Sequence, residues 1–331
     1  MTAAKAKSDD AQSMADAILS GERRALARAI TLVESTRPAD RTRAEALLTR
    51  LLPAAGKAKR IGISGAPGAG KSTFIDTFGR HLTSRGLKVA VLAVDPSSRR
   101  SGGSILGDKT RMETLARDPN AFIRPSPAGT TLGGVARRTR EVMLLVEAAG
   151  FDVVLVETVG VGQSETAVSD MVDLFVLLVS PGSGDDLQGI KRGVMELADL
   201  IVVTKADGDL QQAAGRAVSD YHAALHLMRP KYPGVPPQVM RISSLANIGI
   251  GEAWETMAAM HVALRAGRHL GRLREDQARR WFWSEVQAVL VEAIAADPRT
   301  SEAASRVEAD VLAGRLLPDA AARALIRAFR S

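Results

Sequence analysis

A doubly wound α/β fold on a mostly parallel sheet is predicted by three features of the 331-residue sequence. Strand-length apolar runs alternate with helix-period segments from residue 58 to about 250, the pattern of a sheet with crossover helices. Those runs are nearly continuous in apolar residues, as burial on both faces requires. One of them, 60–64, leads into Gly65-Ala66-Pro67-Gly68-Ala69-Gly70-Lys71-Ser72, after which Phe74, Ile75, Phe78 and Leu82 share one helical face.

Along the chain, residues 1–10 read as a frayed polar tail. Met14, Ile18, Leu26, Ile30 and Val33 then recur at helical spacing, and Pro38 interrupts them before a helix carrying Leu47, Leu48, Leu51 and Leu52. Residues 1–55 are therefore an N-terminal helical extension. Strands are expected at 60–64, 88–94, 152–157, 173–179, 199–204 and 238–242, with helical spacing between them such as Leu187, Ile190, Val194 and Leu197. The α/β domain is set at 56–265. Residues 266–331 are Ala- and Arg-rich, and Pro298 and Pro318 divide them into a long helix at about 270–296 and two shorter ones. Trp281, Phe282, Trp283, Val286 and Leu290 supply apolar surface on the long helix. Because the sheet is complete by 250, that surface suits a dimerisation arm.

Composition excludes several classes. Apolar residues make up 46% and charged residues 24%, a globular balance. Lys plus Arg exceeds Asp plus Glu, 44 against 37, for a net charge of +7. The basic residues are scattered and aromatics are only 4%, so no stacking platform and no nucleic-acid partner are expected. Zero cysteines exclude disulfides, thiolate metal sites and cysteine nucleophiles. His222 and His226 stand one helical turn apart but without an H-E-x-x-H pattern. The N-terminus lacks a secretory plan, and the apolar run Leu174 to Val179 is too short to span a bilayer. A cytoplasmic protein with no membrane partner is expected.

The glycine loop satisfies G-x-x-x-x-G-K-[ST]. Backbone N–H groups turn into one concavity, Lys71 reaches β- and γ-phosphates, and Ser72 can ligate Mg²⁺. A helix follows at once, and its N-terminus favours an anion. Gly65, Ala66, Pro67, Gly68, Ala69, Gly70, Lys71, Ser72 and Thr73 are accordingly assigned to a nucleoside triphosphate.

In such sheets ligands lie beyond the carboxyl ends of the strands, which locates the other candidates. Asp95 ends the second strand; without G-x-G-x-x-G it reads as an acid facing the Mg²⁺–phosphate site rather than a ribose acid. The loop 101–111, rich in Gly and Ser, offers Asp108 to metal or water, with Arg111 beside it. Glu157 ends the third strand where NTPases hold Mg²⁺, and the Gly160 N–H is placed to sense the γ-phosphate. Val161 stands where a water-orienting Gln would follow that glycine, and Gln163 comes two residues later. Slow intrinsic hydrolysis is expected, assisted by Lys71 and by a carboxylate from Asp95, Asp108 or Glu157. Asp207 can accept two N–H bonds from guanine, which adenine does not offer. Lys205 can lie over the base, and N–H groups of Ser243, Ser244 and Leu245 can meet the guanine O6. The nucleotide is GTP/GDP.

With these motifs in order, residues 20–300 resemble the GTPase chaperones of the MeaB/ArgK type. The resemblance rests on the phosphate loop, on Val94-Asp95-Pro96-Ser97-Ser98, on the run from Gly102 to Met112, and on the run from Glu157 to Glu165. It implies a homodimeric P-loop GTPase that loads or protects the cofactor of an adenosylcobalamin-dependent acyl-CoA mutase. It also implies a further switch at Ser180 to Asp186, with Asp185, Asp186 and Lys191 communicating with the mutase. The family's base motif is usually Asn-Lys-x-Asp, its Asn tying the base loop to the phosphate loop. Thr204 replaces that Asn here, so weaker GTP affinity is expected, with Asp207 keeping the guanine preference. Two rival readings are a small-molecule or protein kinase of the amino-acid transport type and a nickel-inserting metallochaperone GTPase. The first lacks an evident acceptor base in the sequence, the second its cysteine ligands.

Overall fold

The computed structural model describes residues 2–94, 112–125, 132–158, 164–181 and 192–330. The chain separates into two compact units, Met1–Arg274 and Glu275–Ser331.

The first unit opens with three helices, α1 (Thr2–Leu19), α2 (Arg23–Glu34) and α3 (Pro38–Leu51). The expected frayed tail is instead the start of α1. Ala11, Ala15 and Ile18 are buried further along it, and a docked helix propagates cheaply back through alanine-rich sequence. These helices do not form a separate body. Ile18, Leu26, Ile30, Leu47 and Leu51 share one core with α6 (Leu132–Ala148) and one face of the sheet.

The sheet has seven strands among the described residues: β1 (Lys59–Gly65), β2 (Val89–Val94), β3 (Ala121–Arg124), β4 (Val153–Thr158), β5 (Leu174–Val179), β6 (Leu200–Val203) and β7 (Gln238–Arg241). Their order is β3-β2-β4-β1-β5-β6-β7, and every pair is parallel. β2, β4, β5 and β6 are buried along their whole length, which accounts for their unbroken apolar sequence. β3 was not anticipated; four residues at an edge are too few to show a period. The helices described after the successive strands are α4 (Lys71–Ser84), the one-turn α5 (Glu113–Ala116), α6, α7 (Ser164–Ser169), α8 (Arg192–Leu197), α9 (Gln211–His226) and α10 (Ile250–Ala266). Leu187 and Ile190, which prompted part of one helical prediction, lie outside the described residues. On the α4 face, Phe74 stacks on Phe78 at 5.0 Å, and Phe78 meets Trp254 of α10 edge-on at 6.3 Å. No helix among the described residues is long and apolar enough to cross a membrane.

The amino edge of the sheet carries a repeated device. Asp152, Asp173 and Asp199 each precede a strand rather than begin it, and each carboxylate accepts an N–H from a neighbouring strand or its approach. The donors are Lys88 N at 2.8 Å, Arg60 N at 2.9 Å and Phe175 N at 2.7 Å. Arg274 grips Asp173 through Nε and Nη2 at 2.8 and 2.7 Å, and Arg60 grips Glu147 through the same two atoms, each at 2.7 Å. Burial pushes Asp173 up, but His261 Nε2 at 3.4 Å, Arg274 and the Arg60 N–H outweigh it and hold its pKa down at about 2. Burial dominates at Asp199 and raises its pKa despite Lys231 at 2.9 Å.

The long helix α11 (His269–Ala296) starts in the first unit, where Leu270 joins the core, and continues into the second. The second unit adds α12 (Pro298–Leu312) and α13 (Pro318–Arg330), which pack against each other.

Candidate nucleotide site

All seven strands point the same way, so the loops after β1, β4, β6 and β7 gather at one edge. β1 lies at the switch point, since its connection runs toward β2 on one side while that of β5 runs toward β6 on the other. The phosphate loop grows from this strand. A Cβ on Gly65 would lie 2.4 Å from the Leu178 carbonyl oxygen, so β1 can pass β5 this closely only with glycine. Gly70 adopts φ 89° as the residue capping α4, a conformation glycine takes at little cost. It brings no capping side chain, which leaves the first-turn N–H groups of α4 for a ligand. Lys71 Nζ bends back over the loop, donating to Gly65 O at 2.7 Å and Ala66 O at 3.2 Å.

Glu157 is buried near the end of β4, in register with Ile63 of β1 and Ala93 of β2. Its Oε1 accepts from Ser72 Oγ at 3.4 Å. A hydroxyl and a carboxylate facing each other are hard oxygen donors of the kind Mg²⁺ takes beside phosphates, so these residues fit that ion. Behind them Thr158 Oγ1 donates to Ser64 Oγ at 2.9 Å, locking the ends of β4 and β1 together. Sequence reading passed over this pair; two hydroxyls at the ends of otherwise apolar strands were the signal.

The loop after β6 is tied on three sides. Thr204 is buried, and its hydroxyl lies 2.7 Å from Ala69 O and 3.1 Å from Val179 O. Its N–H donates to Val179 O at 2.8 Å, and Ala206 N–H to Ile242 O at 2.9 Å. The tie expected to be missing without Asn is thus made by threonine, a shorter side chain reaching a backbone carbonyl. Lys205 holds φ 55°, a left-handed conformation unusual for a side-chain-bearing residue. Asp207 precedes a 3-10 turn at Gly208–Leu210 without capping it, and its carboxylate has no partner among the described residues.

The loop after β7 is closed by Ser243 N–H to Ile248 O at 3.0 Å and Ile248 N–H to Ser243 O at 2.9 Å. The Ser243 N–H is therefore spent and does not serve a ligand, a change from the expected trio. The N–H groups of Ser244 and Leu245 remain, and Thr77 Oγ1 donates to Ser244 O at 3.2 Å, steadying the loop from α4. Asp95, Asp108, Arg111, Gly160, Asp185, Asp186 and Lys191 lie outside the described residues.

Comparison with known proteins agrees with this fold. The family model described as methylmalonyl Co-A mutase-associated GTPase MeaB matches residues 26–299. The chain is 52% identical over 267 residues to GTPase ArgK of Escherichia coli, covering 81% of each protein. It is 49% identical over 324 residues to the mitochondrial methylmalonic aciduria type A homolog of Mus musculus, covering 95% of this chain and 78% of that one. A solved structure described as a LAO/AO transport system kinase superposes with a TM-score of 0.75 at 39% identity, covering 97% of this chain and 98% of that one. The chain belongs to the MeaB family of methylmalonyl-CoA mutase-associated GTPases.

Proposed function

We propose that this protein is a GTP-switched chaperone that assists loading and protection of adenosylcobalamin in an acyl-CoA mutase of the methylmalonyl-CoA type. The observation that carries the nucleotide part is the single edge where Lys71, the Ser72–Glu157 pair and the Thr204–Ala69 bond meet. The mutase part rests on family membership and on the relatives' names.

In this reading Lys71 leaves the Gly65 and Ala66 carbonyls to donate to β- and γ-phosphate oxygens. The first-turn N–H groups of α4 receive the rest of the phosphate charge. Ser72 and Glu157 would hold Mg²⁺, which when bound neutralises phosphate charge. Asp207 accepts the two guanine N–H groups, Lys205 covers the base, and Ser244 and Leu245 donate toward O6. Val161 has no side-chain carboxamide to orient a water, so intrinsic turnover is slow and the mutase accelerates it. A homodimer is built through α11, and the protein works in the cytoplasm without membrane or nucleic acid.

The test is displacement of a fluorescently labelled guanine nucleotide, followed by hydrolysis with and without a B12-dependent mutase. GTP should displace at least about 100-fold better than ATP, because the guanine contacts of Asp207 are worth a few kcal/mol. Hydrolysis should rise when the mutase is added. Equal competition by ATP would overturn the guanine assignment, and an unchanged rate the chaperone assignment. Similarity to a solved structure described as a transport system kinase favours one alternative, a kinase. Transfer of label from γ-labelled GTP to an amino acid or protein would establish it instead.

A further inference from the structure

A second cleft, of about 720 Å³, lies beside α4 and away from the phosphate loop. Its lining on α4 begins at Thr77, six residues and about 9 Å of helix axis beyond Lys71. Its volume falls in the range of small-molecule sites, but its chemistry is not that of an apolar pocket. α4 contributes Arg80, the turn after α5 contributes Arg117, and neither guanidinium has a partner among the described residues. They are nearly forty residues apart in sequence and reach the same cleft from different elements. Thr77, Thr114 and Asn247 also line the cleft. Asn247 holds φ 54°, the left-handed conformation that Asn tolerates best among side-chain-bearing residues.

The charge balance decides what such a cleft takes. Among the described residues Asp118 is the one carboxylate in the lining, and its Oδ1 already accepts the Asn120 N–H at 2.8 Å. Burial and then Arg85 lower the pKa of His81, with Glu255 and Glu252 opposing them, so its positive charge is disfavoured. Two unpaired guanidiniums against one partly satisfied carboxylate favour an anion with several acceptor oxygens, and planar Arg forks match phosphate.

We propose that this cleft is a second site, adjoining the nucleotide site at Ser244 and Leu245, for a small phosphorylated molecule gripped by Arg80 and Arg117. The ligand sits against the loop after β7, since Ser244 and Leu245 form part of the same lining. That loop is also the one assigned to the guanine base above, so a phosphorylated metabolite here would press on the nucleotide site without entering it.

The probe is pyrophosphate, titrated calorimetrically into full-length protein already saturated with GDP and Mg²⁺, which keeps the phosphate loop occupied. Saturable binding is expected, weakened about tenfold or more in an Arg80→Ala/Arg117→Ala variant, since each charge-assisted contact is worth at least that. GDP affinity of the variant should stay within about twofold, because neither arginine lies in the nucleotide site. Absence of saturable heat, or equal affinity in the variant, overturns the proposal. Failure of the guanine-nucleotide reading appears separately, as absence of GDP uptake in the loading step. In that case the same titration of Lys71→Ala protein, with and without the two arginine substitutions, reads the cleft alone.

Discussion

Thr204 concentrates the residue-scale argument. It occupies the position where the family usually has Asn, yet its hydroxyl meets Ala69 O at 2.7 Å from a buried position, joining base loop to phosphate loop. A Thr204→Val substitution keeps the shape and the N–H bond to Val179 O but strips the donor from a buried carbonyl. An unsatisfied buried group of this kind costs about 1–3 kcal/mol. The variant should lose that much in urea unfolding and bind fluorescent GDP several-fold more weakly, while Thr204→Ser stays near the parent. A Val variant with unchanged GDP affinity would show that the tie does not position the nucleotide. Near it, the Ser64–Thr158 pair does similar work between β1 and β4.

At the scale of elements, the amino edge of the sheet is held by charge and the carboxyl edge is left open for chemistry. Asp173 shows this best, because its carboxylate gathers Arg274, His261 and the Arg60 N–H at the start of β5. Its folded pKa of about 2 lies below its ordinary value of 3.8. A depressed carboxylate contributes stability that is fully present above the unfolded value and disappears as pH falls through the folded one. A shift of this size corresponds to about 2 kcal/mol. Urea midpoints measured from pH 6 down to pH 2 should therefore fall more steeply for the parent than for Asp173→Asn below about pH 4. The Asn variant should also be less stable at pH 7, by about 3–5 kcal/mol, since it leaves the buried Arg274 without its counter-charge. Parallel pH profiles would mean that the carboxylate is not the group responsible.

For the whole molecule, the long helix carries a row of exposed apolar side chains among the described residues. Phe282 and Trp283 are 59% and 58% exposed, and Val286, Val289 and Leu290 continue the exposed row along α11. Exposed aromatic residues in a row are what a self-association surface supplies. Light scattering on the parent should give the mass of a dimer, and Phe282→Glu/Trp283→Glu that of a monomer with GDP affinity unchanged. A parent that runs as a monomer at micromolar concentration would remove the arm from the proposed function.

Much of this protein was legible in its sequence because the relevant signals are local. The glycine loop and its Lys-Ser end, the acid at Glu157, and six of the seven strands depend on neighbours a few residues away, which spacing displays. The edge strand β3 was too short to show a period, and α1 begins earlier than its polar sequence suggested. The three aspartates adjoin apolar runs and so look like strand residues, although their work is to accept N–H groups from other strands, a role set by register between distant segments. Thr204 looked like a loss because its motif position implies a longer side chain; only the approach of Ala69 O makes a hydroxyl sufficient. Sequence by itself determined the chemistry brought to the carboxyl edge of the sheet. Tertiary structure decided which of those groups meet, because hydrogen bonds and buried charges are fixed by distances between segments far apart in the chain.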